Sequence, residues 1–251
     1  MSDAIAAFRR ATREGEEANA LGRLAKEPEQ RRAMDQFRRA VDRATDLRAA
    51  LRDPRVLNVL AMALGIPEAA QQPGLAQRAL TADPSERDGL LARLPDKRWR
   101  EAAAALNLRD RGVAALRDPA IQARLAEGLQ RAAWQKELEA SHPGLGDAVI
   151  FRERAERGIR STYQILGDPV LRRVVTGALG MPPQLALQEV EAQARAVEAK
   201  LDVAKLRDGR EAQRLAERYL LARGAEARPQ AASPLASLFP AASGVLPGLS
   251  V

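Results

Sequence analysis

The sequence predicts an all-α protein, a multi-helix bundle with an internal duplication of helical units, and three observations carry that prediction. Hydrophobic residues make up 46% of the 251-residue chain but aromatic residues only 3%, so any core has to be built from Leu, Val and Ala. That mixture suits closely packed helices and suits a β-sandwich poorly, since sheets draw on β-branched and aromatic side chains. Apolar residues also recur at three- and four-residue steps through most of the chain, the period of a helix with one buried face. Finally, Asp-Pro pairs and Gly-then-Pro pairs punctuate these runs as helix starts and stops. No strand is predicted.

Taken in order, residues 1–24 read as an N-terminal helical arm. Residues 29–52 read as one amphipathic helix, with Met34, Phe37, Val41, Ala44, Leu47 and Leu51 on one face. Asp53 is a good N-cap, and Pro54 at the first helical position loses no hydrogen bond that it needed. The run from Val56 to Leu64 is apolar on all sides and marks a buried helix, ended by Gly65 and Pro67. Asp83-Pro84-Ser85-Glu86 reads as a cap, a proline and a capping-box glutamate before Leu90, Leu91 and Leu94. Asp96 is placed to cap a helix carrying Trp99, Ala103 and Leu106, and Asp118-Pro119 opens one with Ile121, Leu125, Leu129 and Ala132. Ser141 to Gly146 is a loop by composition. Val149, Ile150, Ile159, Tyr163 and Leu166 suggest a further helix, and Asp168-Pro169 starts the next, stopped by Gly180, Pro182 and Pro183. Val190, Ala194, Val197 and Leu201 give one more face, and Leu215, Tyr219 and Leu220 the last. From Pro229 the chain is apolar and uncharged. That tail, 229–251, is expected to be disordered, with Leu235, Leu238, Phe239, Val245 and Leu246 as anchors if it docks on a partner instead.

Two of these stretches match at a constant offset of 115 residues. Leu51-x-Asp53-Pro54, Val59, Ala63-Leu64-Gly65 and Pro67 align with Leu166-x-Asp168-Pro169, Val174, Ala178-Leu179-Gly180 and Pro182. The segment 94–98 is echoed by 206–210. Eight identities in 17 residues exceed a shared capping rule, although the alternative that Asp-Pro and Leu-Gly merely punctuate helices stays open. On the duplication reading, residues 25–115 form a first helical unit, 116–165 a middle segment and 166–228 a second unit. The two buried helices would then pack together at the centre.

Several kinds of chemistry find no residues to carry them. There is no cysteine, so disulfide and thiolate chemistry are excluded. The one histidine, His142, sits in the predicted loop, and a catalytic triad or transition-metal site needs more His or Cys than this. No Asp-rich calcium loop and no glycine-rich phosphate loop occurs. Asp53, Asp83, Asp118 and Asp168 each precede a proline and are explained as caps. Glu153, Arg154, Glu156 and Arg157 read as a solvated helix face, and Trp99 and Trp134 as core packing rather than base stacking. No catalytic, metal or cofactor-binding residue is therefore assigned, and no cofactor is expected. The net charge of +7 is spread along the chain without forming a basic arm, which favours protein partners over nucleic acid. Charged residues interrupt the first 24 positions, so no cleavable signal is expected there. No apolar run reaches 18 residues, so neither is a membrane-spanning helix.

Further residues carry a family resemblance. Ala25-Lys26-Glu27-Pro28, Phe37 to Val41, Leu51 to Leu57, Ala63-Leu64-Gly65, Ala82-Asp83-Pro84 and Leu94 to Trp99 make up one half of it. Phe151 to Arg154, Ile159 to Pro169 and Val174-Val175 to Pro182 make up the other. Together, over roughly residues 22–224, they resemble the DUF1217 family of flagellum-associated proteins of alphaproteobacteria. The resemblance implies an all-helical protein encoded near flagellar genes, with flagellar components as its expected partners, and it supplies no catalytic residues. The expected function is a non-enzymatic interaction or structural role, in the cytoplasm or in the flagellum. A basic helical module for nucleic acid and an enzyme using carboxylates alone remain as alternatives.

Overall fold

Side-chain caps set most of the helix starts that the Asp-Pro pairs announce. The structure, a computed structural model, describes residues 3–227, and the expected tail at 229–251 lies outside the described residues. The first helices are α1 (Asp3–Ala11), α2 (Glu16–Leu24), α3 (Pro28–Arg43), α4 (Leu47–Arg52) and α5 (Pro54–Ala63). After a 3₁₀ turn at Pro67–Ala70 come α6 (Pro73–Leu80), α7 (Leu90–Arg93), α8 (Arg98–Leu106), α9 (Leu108–Arg111), α10 (Val113–Arg117) and the long α11 (Pro119–Ser141). The remainder are α12 (Leu145–Glu156), α13 (Thr162–Gly167), α14 (Pro169–Ala178), α15 (Val190–Glu198) and α16 (Gly209–Glu226), with 3₁₀ turns at Pro183–Leu187 and Val203–Arg207. No strand occurs among the described residues, and the fold is all-α.

The Asp53, Asp118 and Asp168 side chains each accept a hydrogen bond from the backbone N–H two residues on, at 2.8 to 2.9 Å. Each therefore satisfies one of the orphan donors of a helix start. At Asp118 the hydrogen bond from Arg111 and the backbone N–H of Ala120 also hold the carboxyl below its ordinary range. Such a carboxylate contributes stability that is complete above its unfolded-state pKa and is lost as pH falls through its lower folded-state value. We expect Asp118→Asn to be less stable than the parent at neutral pH. The gap should close as pH falls below about 4, read from urea midpoints across pH.

Several expectations need correction. The helix read over 29–52 is two helices: Ala44 is extended, and Asp46 recaps the chain by accepting from Ala49 N–H at 2.7 Å. Asp83-Pro84 starts no helix. Asp83 closes a turn on Ser85, accepting from its N–H at 2.8 Å and its hydroxyl at 2.6 Å, and α7 begins only at Leu90. The helix read through Val149 and Leu166 is split into α12 and α13, because Gly158 has φ +96° and Ser161 caps a new start. The run in α5 is not apolar all round, since Asn58 is exposed and Met62 is 43% exposed.

The two stops match the expectation closely. Gly65 (φ +68°) and Gly180 (φ +59°) adopt the left-handed conformation. The following N–H groups, of Ile66 and Met181, reach back to the carbonyls of Ala61 and Thr176 at 2.8 and 2.9 Å. Both are the six-to-one hydrogen bond of a glycine-terminated helix.

Packing divides the molecule into two main cores. The first, built from residues 34–129, centres on Phe37, Val41, Val56, Leu60 and Leu116, with Trp99 buried in it. The second joins Phe8 of α1 to residues of α12 through α16, around Phe151, Val174, Val175 and Tyr219. A smaller cluster places Trp134 against Ala11, Ala20 and Leu24. The expected central pairing of the two buried helices does not occur: α5 lies in the first core against α11, and α14 lies in the second against α16. The reason is α11, whose first half is taken up by α5 and whose second half by α2 and α12. Two glycines permit these close crossings. A β-carbon at Gly128 would collide with the Ala63 carbonyl, and one at Gly146 would stand 2.9 Å from the Gln135 carbonyl oxygen.

Candidate functional site

The strongest candidate site is the cleft left where the two cores diverge from α11. It has a volume of about 620 Å³, within the size range of ligand and peptide clefts. Its floor is α11 around Gly128, Arg131 and Gln135. One wall is the end of α5 and the start of α8, and the other is α12 with the start of α14. No helix among the described residues is long and apolar enough to cross a membrane.

Arginine–carboxylate pairs furnish the cleft. Arg98 is largely buried and holds Asp96 through Nε at 2.9 Å and Nη2 at 2.6 Å. It also donates to Glu68 at 2.8 Å and to the Gly65 carbonyl, which the helix stop leaves available. Burial works against its charge, but hydrogen bonding and attraction to Asp96, with the charges of Glu68 and Asp168, outweigh it and hold the guanidinium above its ordinary range. From the opposite wall Arg154 pairs with Asp168. Asp168 spends its other oxygen on the N–H groups of Val170 and Leu171 at 2.9 and 3.1 Å. On the floor, Arg131 lies 3.0 Å from Glu17, 3.0 Å from Glu127 and 3.4 Å from Glu153, and Glu153 also takes Arg157. Thus α2, α11 and α12 are tied through one guanidinium.

Acid–base or nucleophilic work needs a carboxylate with a lone pair directed at substrate. Here Asp96, Asp168, Glu153 and Glu17 each face an arginine, and Glu101, at the start of α8, is the lining carboxylate with no ion pair among the described residues. Among the described residues no group of three or more His, Cys, Asp or Glu side chains could hold a metal ion. His142 lies outside the cleft, between α11 and α12, with Nδ1 3.3 Å from the Ser141 hydroxyl.

Of the other residues the sequence singles out, Asp53 and Asp118 remain caps, and Asp83 sits in its turn paired with Arg109. Trp99 and Trp134 are both buried. The stretch Glu153 to Arg157 is not simply a solvated face: Glu153 and Arg154 are half-buried and line the cleft, while Glu156 and Arg157 are exposed. Sequence reasoning did not find Arg98 and Arg131. The Asp96-x-Arg98 spacing was visible, but only the fold brings Glu68 and Asp168 to it.

The fold and the cleft define an all-α protein of two packed cores joined along one long helix. The chain belongs to the family described as protein of unknown function (DUF1217), whose family model matches residues 63–211, from the end of α5 to the start of α16. Among solved structures it is similar to the crystal structure of protein AGR_C_984 from Agrobacterium tumefaciens, with 21% identity and a TM-score of 0.72 over 90% of this chain and 95% of that one. At that identity the likeness is one of fold. No curated protein matches the chain.

Proposed function

We propose that this protein is a non-enzymatic interaction or structural component of the bacterial flagellum, acting by holding other proteins on its helical faces. The observation that carries the non-enzymatic part is the state of the cleft. Four of its five lining carboxylates, Glu17, Asp96, Glu153 and Asp168, face guanidinium groups, and the fifth, Glu101, is exposed at the start of α8, so the cleft offers shape and fixed charge more than a set of converging acid–base groups. The flagellar part rests on the family resemblance of residues 22–224. The stops and caps repeated 115 residues apart support the further reading that two helical units arose by duplication, a common origin for proteins that present repeated faces to partners.

A clean deletion in the bacterium that carries the protein tests this, scored for swimming and, by electron microscopy, for filaments. The expected result is loss of motility. Filaments that persist would place the role in rotation, and filaments that disappear would place it in assembly. Normal swimming on normal filaments would count against the assignment.

A further inference from the structure

The outward face of α3 carries charge in a pattern that the cleft and the core do not use. Residues 31–55 hold eight arginines and four aspartates, and no lysine or glutamate. On α3 the buried residues Met34, Phe37, Ala40 and Val41 define the inner face. At 100° per residue, Arg32, Gln36, Arg39 and Arg43 fall along one stripe of the outer side, within about 70° of directly opposite. All four are exposed, and none of the three arginines makes an ion pair among the described residues, whereas Arg38 on the flank is held by Asp35 and Gln122. The arginine stripe spans three turns, about 16 Å. Folding leaves three guanidinium groups in register, seven and four residues apart, with no carboxylate paired to them among the described residues.

A second stripe runs beside the first. Asp35 and Asp42, also seven residues apart, are both exposed on the flank. Beyond them, between α3 and α11, lies a depression of about 330 Å³ lined by Gln30, Asp35 and Arg38. The Gln30 amide oxygen is buried without a hydrogen-bond donor. The face therefore presents donors along one line and, beside it, the acceptors Asp42 and the Arg38-paired Asp35. A nucleic-acid backbone brings only acceptors and a dense negative charge, so it would use the first line and leave Asp42 facing like charge. A protein helix can complement both, because its side chains keep the same seven- and four-residue register.

We propose that this face of α3 docks an acidic helix of a partner protein, one with glutamates in a stripe spaced seven and four residues apart and lysines along the adjoining stripe. The inference rests on the reading of the protein as an interaction component and names the chemistry of one partner.

The test uses the full chain and a fluorescent, alanine-based helical peptide built to that pattern, with binding read by anisotropy at about 50 mM salt. A control peptide has the same composition with its glutamates scattered around the helix, and a duplex DNA is run alongside. The patterned peptide is expected to bind. R32Q/R39Q/R43Q should weaken it about tenfold, the sum of three exposed charge pairs, with the melting temperature unchanged because glutamine is a good helix former. Equal binding of the scattered peptide would overturn the registered face. Tighter binding of DNA than of peptide, or no binding of either, would overturn the acidic-helix partner. The deletion phenotype is read separately, so motility loss without peptide capture removes this inference alone. Peptide capture with normal motility removes the flagellar assignment alone.

Discussion

Gly128→Ala is expected to destabilise the protein by about 3 kcal/mol or more, beyond the usual cost of an overpacked core. In most helices the same change is favourable by about 1 kcal/mol, because alanine loses less backbone freedom on folding. At position 128 that gain is overwhelmed. The added carbon would fall inside contact distance of the Ala63 carbonyl oxygen and 2.9 Å from the carbonyl carbon. The obstacle is backbone on the last turn of α5, so no rotamer change can relieve it, and α5 and α11 must separate. Separation would loosen Val56, Leu60, Leu125 and Leu129 in the first core together. Gly22, in the interior of α2, has open space at its β-carbon position and serves as the control. Urea denaturation should show Gly22→Ala unchanged or slightly more stable, and Gly128→Ala with a much lower midpoint. If the two variants behave alike, α5 and α11 do not cross as closely as described.

That glycine illustrates how far the sequence could be read. The helix class, the capped starts at Asp53, Asp118 and Asp168, and the stops at Gly65 and Gly180 were legible because each is decided within a few residues by local hydrogen bonding. Gly128 carries no local signal that sets it apart from a tolerated helical glycine, and its partner 65 residues earlier was not readable. Mistakes came where two local rules competed. At 44–46 the heptad-like apolar spacing continued, yet Asp46 offered a better cap than the helix interior offered a partner. At 83–86 the capping pattern was present, but Ser85 captured the Asp83 side chain in a turn. The cleft was illegible for a different reason. Asp96 and Arg98 at the start of α8, Arg131 on α11, Glu153 on α12 and Asp168 at the cap of α14 come from four separate stretches of the chain, and only the packing of both cores on α11 brings them together.

Asp168 is the residue at which local and long-range roles can be separated by experiment. It caps α14 as Asp53 caps α5, 115 residues earlier in a matching stretch, so Asp53→Ala measures the cap alone, at about 1 kcal/mol. Asp168 also pairs with Arg154 across the start of α14, with side chains only 17% and 25% exposed, and its charge helps to hold Arg98 on the facing wall. Asp168→Ala would remove the cap and leave a half-buried guanidinium without its carboxylate, a more costly change than losing an exposed pair. The expected loss is about 2 to 3 kcal/mol, roughly twice that of Asp53→Ala or more. Asp168→Asn, which keeps the acceptor oxygen for Val170 and Leu171 but not the charge, should fall between them. Equal losses for Asp53→Ala and Asp168→Ala would mean that the pair with Arg154 contributes nothing beyond the cap. The wall that α12 and α14 form would then be held by packing and the cap, with no contribution from its ion pair.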